Sequence, residues 1–151
     1  MSRKVISMVA IMLIFAVASV CFVACNIDDI SVDERFFEIV EMSKEEFVAT
    51  VAASSFLSGK GIKIDVADIE WAKEIKTLRR DGQRATAVKF VDESMAIEYA
   101  NAIQARIDKD IADAKAEGVA VLENHALSSA VERRGLIVVY GTLGAVTDAV
   151  R

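Results

Sequence analysis

The sequence predicts an α+β fold, a mostly antiparallel sheet of about five strands with helices packed on one face, after a separate apolar N-terminal helix. Three observations lead there. Apolar residues switch between a period of two and a period of 3.6 along residues 36–151, which separates strands from helices. Turn signals recur between them, with Asp81-Gly82 and Arg133-Arg134-Gly135 the clearest. Apolar content is also uneven: Val5 to Cys25 contains no charge, whereas charged residues recur every few positions from Asp28 onward.

Phe36 to Val40 is a compact apolar cluster, read as a first strand or the start of the core. Ser43-Lys44-Glu45-Glu46 then matches a capping box, in which a serine hydroxyl and a glutamate three residues on satisfy unpaired backbone amides. Phe47, Val48, Val51, Ala52, Ser55 and Phe56 follow at helical spacing until Gly59 and Gly61, so the spacing predicts a helix over 44–58. Ile62, Ile64 and Val66 alternate with Lys63 and Asp65 and predict a strand. Residues 68–80 carry two signals. Trp71, Ile75 and Leu78 fit a helix, but Asp81-Gly82 is a strong two-residue hairpin turn, and the hairpin is preferred. Pairing across that turn sets Ile75 opposite Val88 and Thr77 opposite Thr86, with Phe90 on the same face.

Asp92-Glu93-Ser94 opens a long helix whose stripe runs Ala96, Tyr99, Ala100, Ile103, Ile107, Ile111 and Ala114, and Gly118 ends it. Its last turns are rich in charge, as expected of a helix that outruns the core. Val119 to Leu122 is expected to begin a strand. Ala130 to Glu132 and Leu136 to Tyr140 flank Arg133-Arg134-Gly135 as a second hairpin, the latter run apolar throughout like a strand buried on both faces. Thr142 is expected to cap a short helix carrying Leu143, Val146 and Val150.

The chain has 151 residues, room for one ordinary domain. Arg3 and Lys4 are the basic residues before position 25, and no acid precedes it, so the remainder holds 16 basic and 23 acidic residues, a net charge of −7. That balance argues against nucleic-acid binding, which depends on clustered Lys and Arg.

The N-terminus has a basic tetrapeptide, an apolar run and then small residues, the order of a secretory signal peptide. The run is also long enough to span a bilayer as an uncleaved anchor. Phe22-Val23-Ala24-Cys25 resembles the lipobox of bacterial lipoprotein precursors, in which a small residue precedes a cysteine that is lipidated and becomes the new N-terminus. The resemblance is confined to residues 1–25, and Phe22 stands where those precursors usually carry leucine. It implies a signal peptide over 1–24, lipid attachment at Cys25, an acidic tether over 25–35 and a single domain over 36–151. Cys21 follows Val20, too bulky for a processing site, and reads as a leader residue. With Arg3 and Lys4 cytoplasmic, the domain lies on the extracytoplasmic face of the cell membrane, at the envelope. An envelope protein or a small ligand is the expected partner.

Candidate chemistry in the domain is sparse. His125 is the single histidine and no cysteine follows Cys25, so one chain cannot assemble an ordinary zinc or copper site, and no cofactor or metal is expected. Ser128 and Ser129 lie near His125 in sequence, but a nucleophile and its base must meet at about 2.6–3.2 Å, which spacing does not establish. No catalytic residue is assigned. Gly141-Thr142-Leu143-Gly144 reads as a tight turn and cap, and Ser58-Gly59-Lys60-Gly61 as a helix stop. Asp108, Asp110, Asp113 and Glu117 lack the order of a calcium loop and read as a solvated helical face. Arg79, Arg80, Arg84, Arg133 and Arg134 fall at expected hairpin tips, available to an anionic partner or solvent. The leading expectation is a lipid-anchored binding or interaction module; a small envelope enzyme using serine or carboxylate chemistry is the alternative.

Overall fold

The computed structural model describes residues 37–78 and 82–150, apart from the side chains at 122, 123, 125 and 126. The leader, Cys21, Cys25, the tether, Arg79 and Arg80 therefore lie outside the described residues. The fold is α+β, with one five-stranded antiparallel sheet in the order β1-β2-β3-β5-β4. The strands are β1 (Phe37–Met42), β2 (Ile69–Thr77), β3 (Arg84–Phe90), β4 (Ser129–Arg134) and β5 (Ile137–Thr142). Among the described residues the helices are α1 (Lys44–Ala53), α2 (Ser55–Gly59), α3 (Glu93–Glu117), α4 (Ala120–Leu127) and α5 (Leu143–Ala149), with a 3-10 turn at Val66–Asp68.

Ser43 caps α1 as expected, its hydroxyl accepting from the Glu46 amide at 3.1 Å. The expected helix over 44–58 is two helices, because Ser54 leaves helical geometry. Its amide donates to the Val51 carbonyl and its hydroxyl accepts from the Leu57 amide, so one serine ends α1 and starts α2. Serine competes with the helix for backbone partners in this way. The expected strand over 62–66 is extended chain and a 3-10 turn, although Ile62 and Ile64 are both buried. Its alternation records burial without pairing. The strand expected at Val119 is also absent: Ala120–Leu127 is helical, in keeping with its Ala, Leu and Glu content.

The β2–β3 hairpin forms, but its register differs from that of a two-residue turn. Ile75 faces Ala85 and Ala72 faces Val88, and the Thr77 amide donates to the Gln83 carbonyl. The shift is three residues. An odd slip moves side chains to the other face of a sheet, so Ile75 joins Ala85 and Ala87 on one side while Val88 and Phe90 point to the other.

Those two faces carry two cores. Val88, Phe90 and Val138 pack with Phe47 and Val51 of α1 and Ala96, Tyr99, Ile103 and Ile107 of α3. Ile75, Ala85, Ala87, Ile137 and Val139 pack with Ala145, Val146 and Ala149 of α5. The expectation of helices on one face holds for α1 and α3 and is corrected for α5, which covers the opposite face. β5 alternates between the two cores and is buried on both sides, as its continuous apolar run predicts.

Asp92 opens α3, accepting from the Ser94 and Met95 amides at 2.8 and 3.2 Å, and Gly118 closes it at φ 67, where a side chain would be strained. Thr142 occupies the position before α5, but its hydroxyl bonds the Arg84 carbonyl at 3.2 Å in place of capping the helix. No helix among the described residues is long and apolar enough to cross a membrane.

Candidate functional site

At 25 residues, α3 extends for about 37 Å, well beyond the roughly 20 Å of a six-residue strand. Its second half therefore overhangs the sheet where β3, β5 and β4 end. Ala114, Ala130 and Gly141 are too small to fill the gap beneath it, and a cleft of about 520 Å3 results. Ile103, Ile107, Ala114 and Ala130 supply apolar wall. Arg84, Arg106 and Tyr140 bring donors to it, while Ser128, Ser129 and Thr142 line it from the chain around β4 and the end of β5.

Tyr140 stands at the junction between cleft and core. Its ring meets Tyr99 edge-on at 5.7 Å, and Tyr99 in turn contacts Phe47 and Phe90, so four aromatic rings brace the position. The Tyr140 phenol interacts with the Tyr99 phenol and with the Thr86 side chain. Burial pushes both phenols above their ordinary range. For Tyr140, the bonds from Tyr99 and Thr86 and the nearby Arg106 charge pull the other way. The Arg106 charge acts on Tyr99 in the same direction.

The charged groups are unequally held. Arg84 bonds Glu74 at 3.2 Å, and Lys76 approaches the same carboxylate at 3.9 Å. Lys109 pairs with Asp113, and that carboxylate raises the lysine above its usual range. Among the described residues the ion partner of Arg106 is Asp110, whose oxygen lies 3.8 Å from Nε, beyond hydrogen-bond reach. Arg106 thus retains its donors beside the cleft.

Several sequence candidates converge here. Ser128, Ser129, Arg84, Asp110, Asp113 and Glu117 all line the cleft. Asp108 does not; it accepts from Gln104 at 2.9 Å. His125 falls within α4, with its side chain outside the described residues, so its relation to the serines is not part of the site. Arg133 reaches Glu93 at 3.1 Å and the Gly135 carbonyl at 2.8 Å, and Arg134 pairs with Glu132 at 3.5 Å, so both brace the second hairpin. No group of acidic, histidine or cysteine side chains among the described residues is arranged to hold a metal ion.

Sequence reasoning missed Arg106 and Tyr140. Arg106 had a signal: with Ile103, Asp110, Asp113 and Glu117 it follows a spacing of three and four, the flank of the apolar stripe. Tyr140 was hidden at the end of an apolar strand. The chain matches no known family model, and no curated protein or solved structure is detectably similar to it.

Proposed function

We propose that this chain is a lipid-anchored binding module of the bacterial cell envelope, tethered to the extracytoplasmic face by acylated Cys25 and presenting the cleft beside Tyr140 to a small ligand. The cleft is the observation that carries the binding role. Its volume of about 520 Å3 falls within the roughly 300–1,000 Å3 of small-molecule sites. Its composition fits too, since such sites pair apolar walls with a few convergent polar groups, here Arg106 and Tyr140. The tether rests on Arg3 and Lys4, the uncharged run after them and Ala24 before Cys25. One acyl chain binds membranes marginally and two or more bind firmly, so a multiply acylated Cys25 would hold the domain at the surface.

The test of the anchor is radiolabelled fatty-acid incorporation with intact-mass analysis on wild type, Cys25→Ala and Cys21→Ala. Wild type and Cys21→Ala take up label and lose residues 1–24, whereas Cys25→Ala does neither. Label retained in Cys25→Ala overturns the assignment, and an unlabelled, uncleaved wild type replaces it with a single-pass anchor.

One observation favours the enzyme alternative: Ser128 and Ser129 share the cleft with Asp110 and Asp113. Hydrolysis of acyl ester substrates that is abolished by Ser128→Ala or Ser129→Ala would establish it.

A further inference from the structure

We propose that the end of the sheet where the chain enters the domain docks on the bilayer that holds its N-terminus, with Leu78, Val121, Leu127 and Leu143 in contact with lipid; this rests on the membrane-anchored reading. The strand register defines that end. Phe37, where β1 begins, lies opposite Thr77, where β2 ends, and Lys76 lies opposite Arg84, where β3 begins. Ala85 faces Gly141 and Ser129 faces Thr142, so the end of β5 and the start of β4 join them. α3 returns to the same place, since Ala114 and Glu117 line the cleft with Arg84 and Thr142, and α4 follows it there. α5 starts there as well, the Leu143 amide donating to the Ser128 carbonyl.

The large apolar side chains left in water gather at this end. Among the described residues nine are exposed, and five of them, Leu78, Val119, Val121, Leu127 and Leu143, belong to it. Val121 and Leu78 are the most exposed of the nine, at 76% and 64%. Val66, Val91 and Ile97 lie at the far end, and Val40 lies midway along β1. Single exposed apolar residues are ordinary on a protein surface, whereas a one-sided set marks a contact. In α4 every described side chain is exposed, although Ala120, Val121 and Leu127 are apolar.

The route of the chain says what covers the set. Eleven residues separate Cys25 from Phe37 and span at most about 40 Å. The far end of the sheet stands about 30 Å further off, the length of nine-residue β2, so only a nearly extended tether turned back along the domain would let it face the lipid. Tethering also keeps the near end at high effective concentration at the surface, so a modest apolar contact suffices. Residues 25–151 carry a net charge of −7, which opposes anionic headgroups, and the attraction is therefore apolar. The cleft lies at this end, and docking sets it close to the lipid.

The test uses the full chain, purified from bacterial membranes and reconstituted into phosphatidylcholine vesicles with or without brominated acyl chains. Trp71 is the single tryptophan, so Trp71→Phe gives a silent background for one reporter at a time: Leu143→Trp or Leu78→Trp at the docking end, Val91→Trp at the far end. Brominated lipid should quench the first two at least about threefold more strongly than the third. Adding Val121→Glu and Leu127→Glu should relieve the quenching of Leu143→Trp while the chain still floats with the vesicles. Circular dichroism melts that match the Trp71→Phe parent confirm that each variant is folded. Equal quenching at the two ends, stronger quenching of Val91→Trp, or quenching of Leu143→Trp untouched by the glutamates overturns the docking surface and leaves the anchor. An unquenched Leu143→Trp in floating chains that cross-link as dimers overturns it in favour of a second copy. Wild type that fails to float overturns the anchored reading together with this inference.

Discussion

Gly141 of β5 lies directly opposite Ala85 of β3, and a Cβ built on it would stand 2.4 Å from the Arg84 carbonyl oxygen and 2.7 Å from the Ala85 Cα. The obstacle is backbone, so no rotamer change relieves it, and φ is 149 besides. Gly141→Ala must therefore push β3 from β5 or disturb the Thr142 bond to Arg84. It should cost about 2–3 kcal/mol, read as a lower urea midpoint with an unchanged slope. A midpoint equal to wild type would refute the close approach.

Burial of the Tyr99–Tyr140 pair makes the fold sensitive to alkali. Both phenols are raised in the folded state, so the unfolded chain loses their protons first, near pH 10. Stability is thus complete below about pH 10 and falls as pH rises above it, by at most about 2.7 kcal/mol per pH unit for two groups. These are the two tyrosines of the chain, so phenolate absorbance should appear together with loss of helical circular dichroism. Tyr99→Phe should shallow the decline, and phenolate appearing well before unfolding would contradict the buried pair.

Asp92 gives the opposite dependence at low pH. Hydrogen bonds from the Ser94 hydroxyl and the Met95 and Ser94 amides hold its carboxyl below the usual range. Its contribution is present above the ordinary aspartate pKa, about 3.9, and is lost as pH falls through the lower folded value. Asp92→Asn keeps an oxygen acceptor without the titration, so its urea midpoint should be flatter with acid than that of wild type. Asp92→Ala should lower the midpoint at neutral pH. Parallel acid profiles for wild type and Asp92→Asn would show that the cap does not titrate.

Much of the fold was legible because its signals are local. Ser43, Asp92 and Gly118 mark helix ends through their own backbone partners, and the apolar run of β5 announces burial on two sides. The failures are tertiary. Ile62 and Ile64 alternate like a strand because alternate side chains are buried, but β2 already pairs with β1 and β3. The cleft was invisible because it depends on α3 overhanging the sheet and on small residues from three elements meeting beneath it. Arg106 and Tyr140 share the cleft through the packing of α3 on the sheet, which helical spacing alone does not reveal.

The register of the β2–β3 hairpin offers a direct test of the tertiary part. In the fold Lys76 lies opposite Arg84, whereas a two-residue Asp81-Gly82 turn would set Lys76 against Ala87. The two alternatives differ by three residues, so only one partner shares a face with position 76. Opposed side chains on neighbouring strands have Cβ atoms about 4.5–5.5 Å apart, close enough for a disulfide after a small adjustment. In a Cys21→Ser/Cys25→Ser background, Lys76→Cys/Arg84→Cys should oxidise readily to a bridged form that reduction reverses. Lys76→Cys/Ala87→Cys should remain reduced while folded, because Ala87 belongs to the core beneath α5 and points away. Bridging of the second pair and not the first would restore the tight turn. It would also move Ile75 to the face of Val88, so the two-core arrangement stands or falls with this measurement.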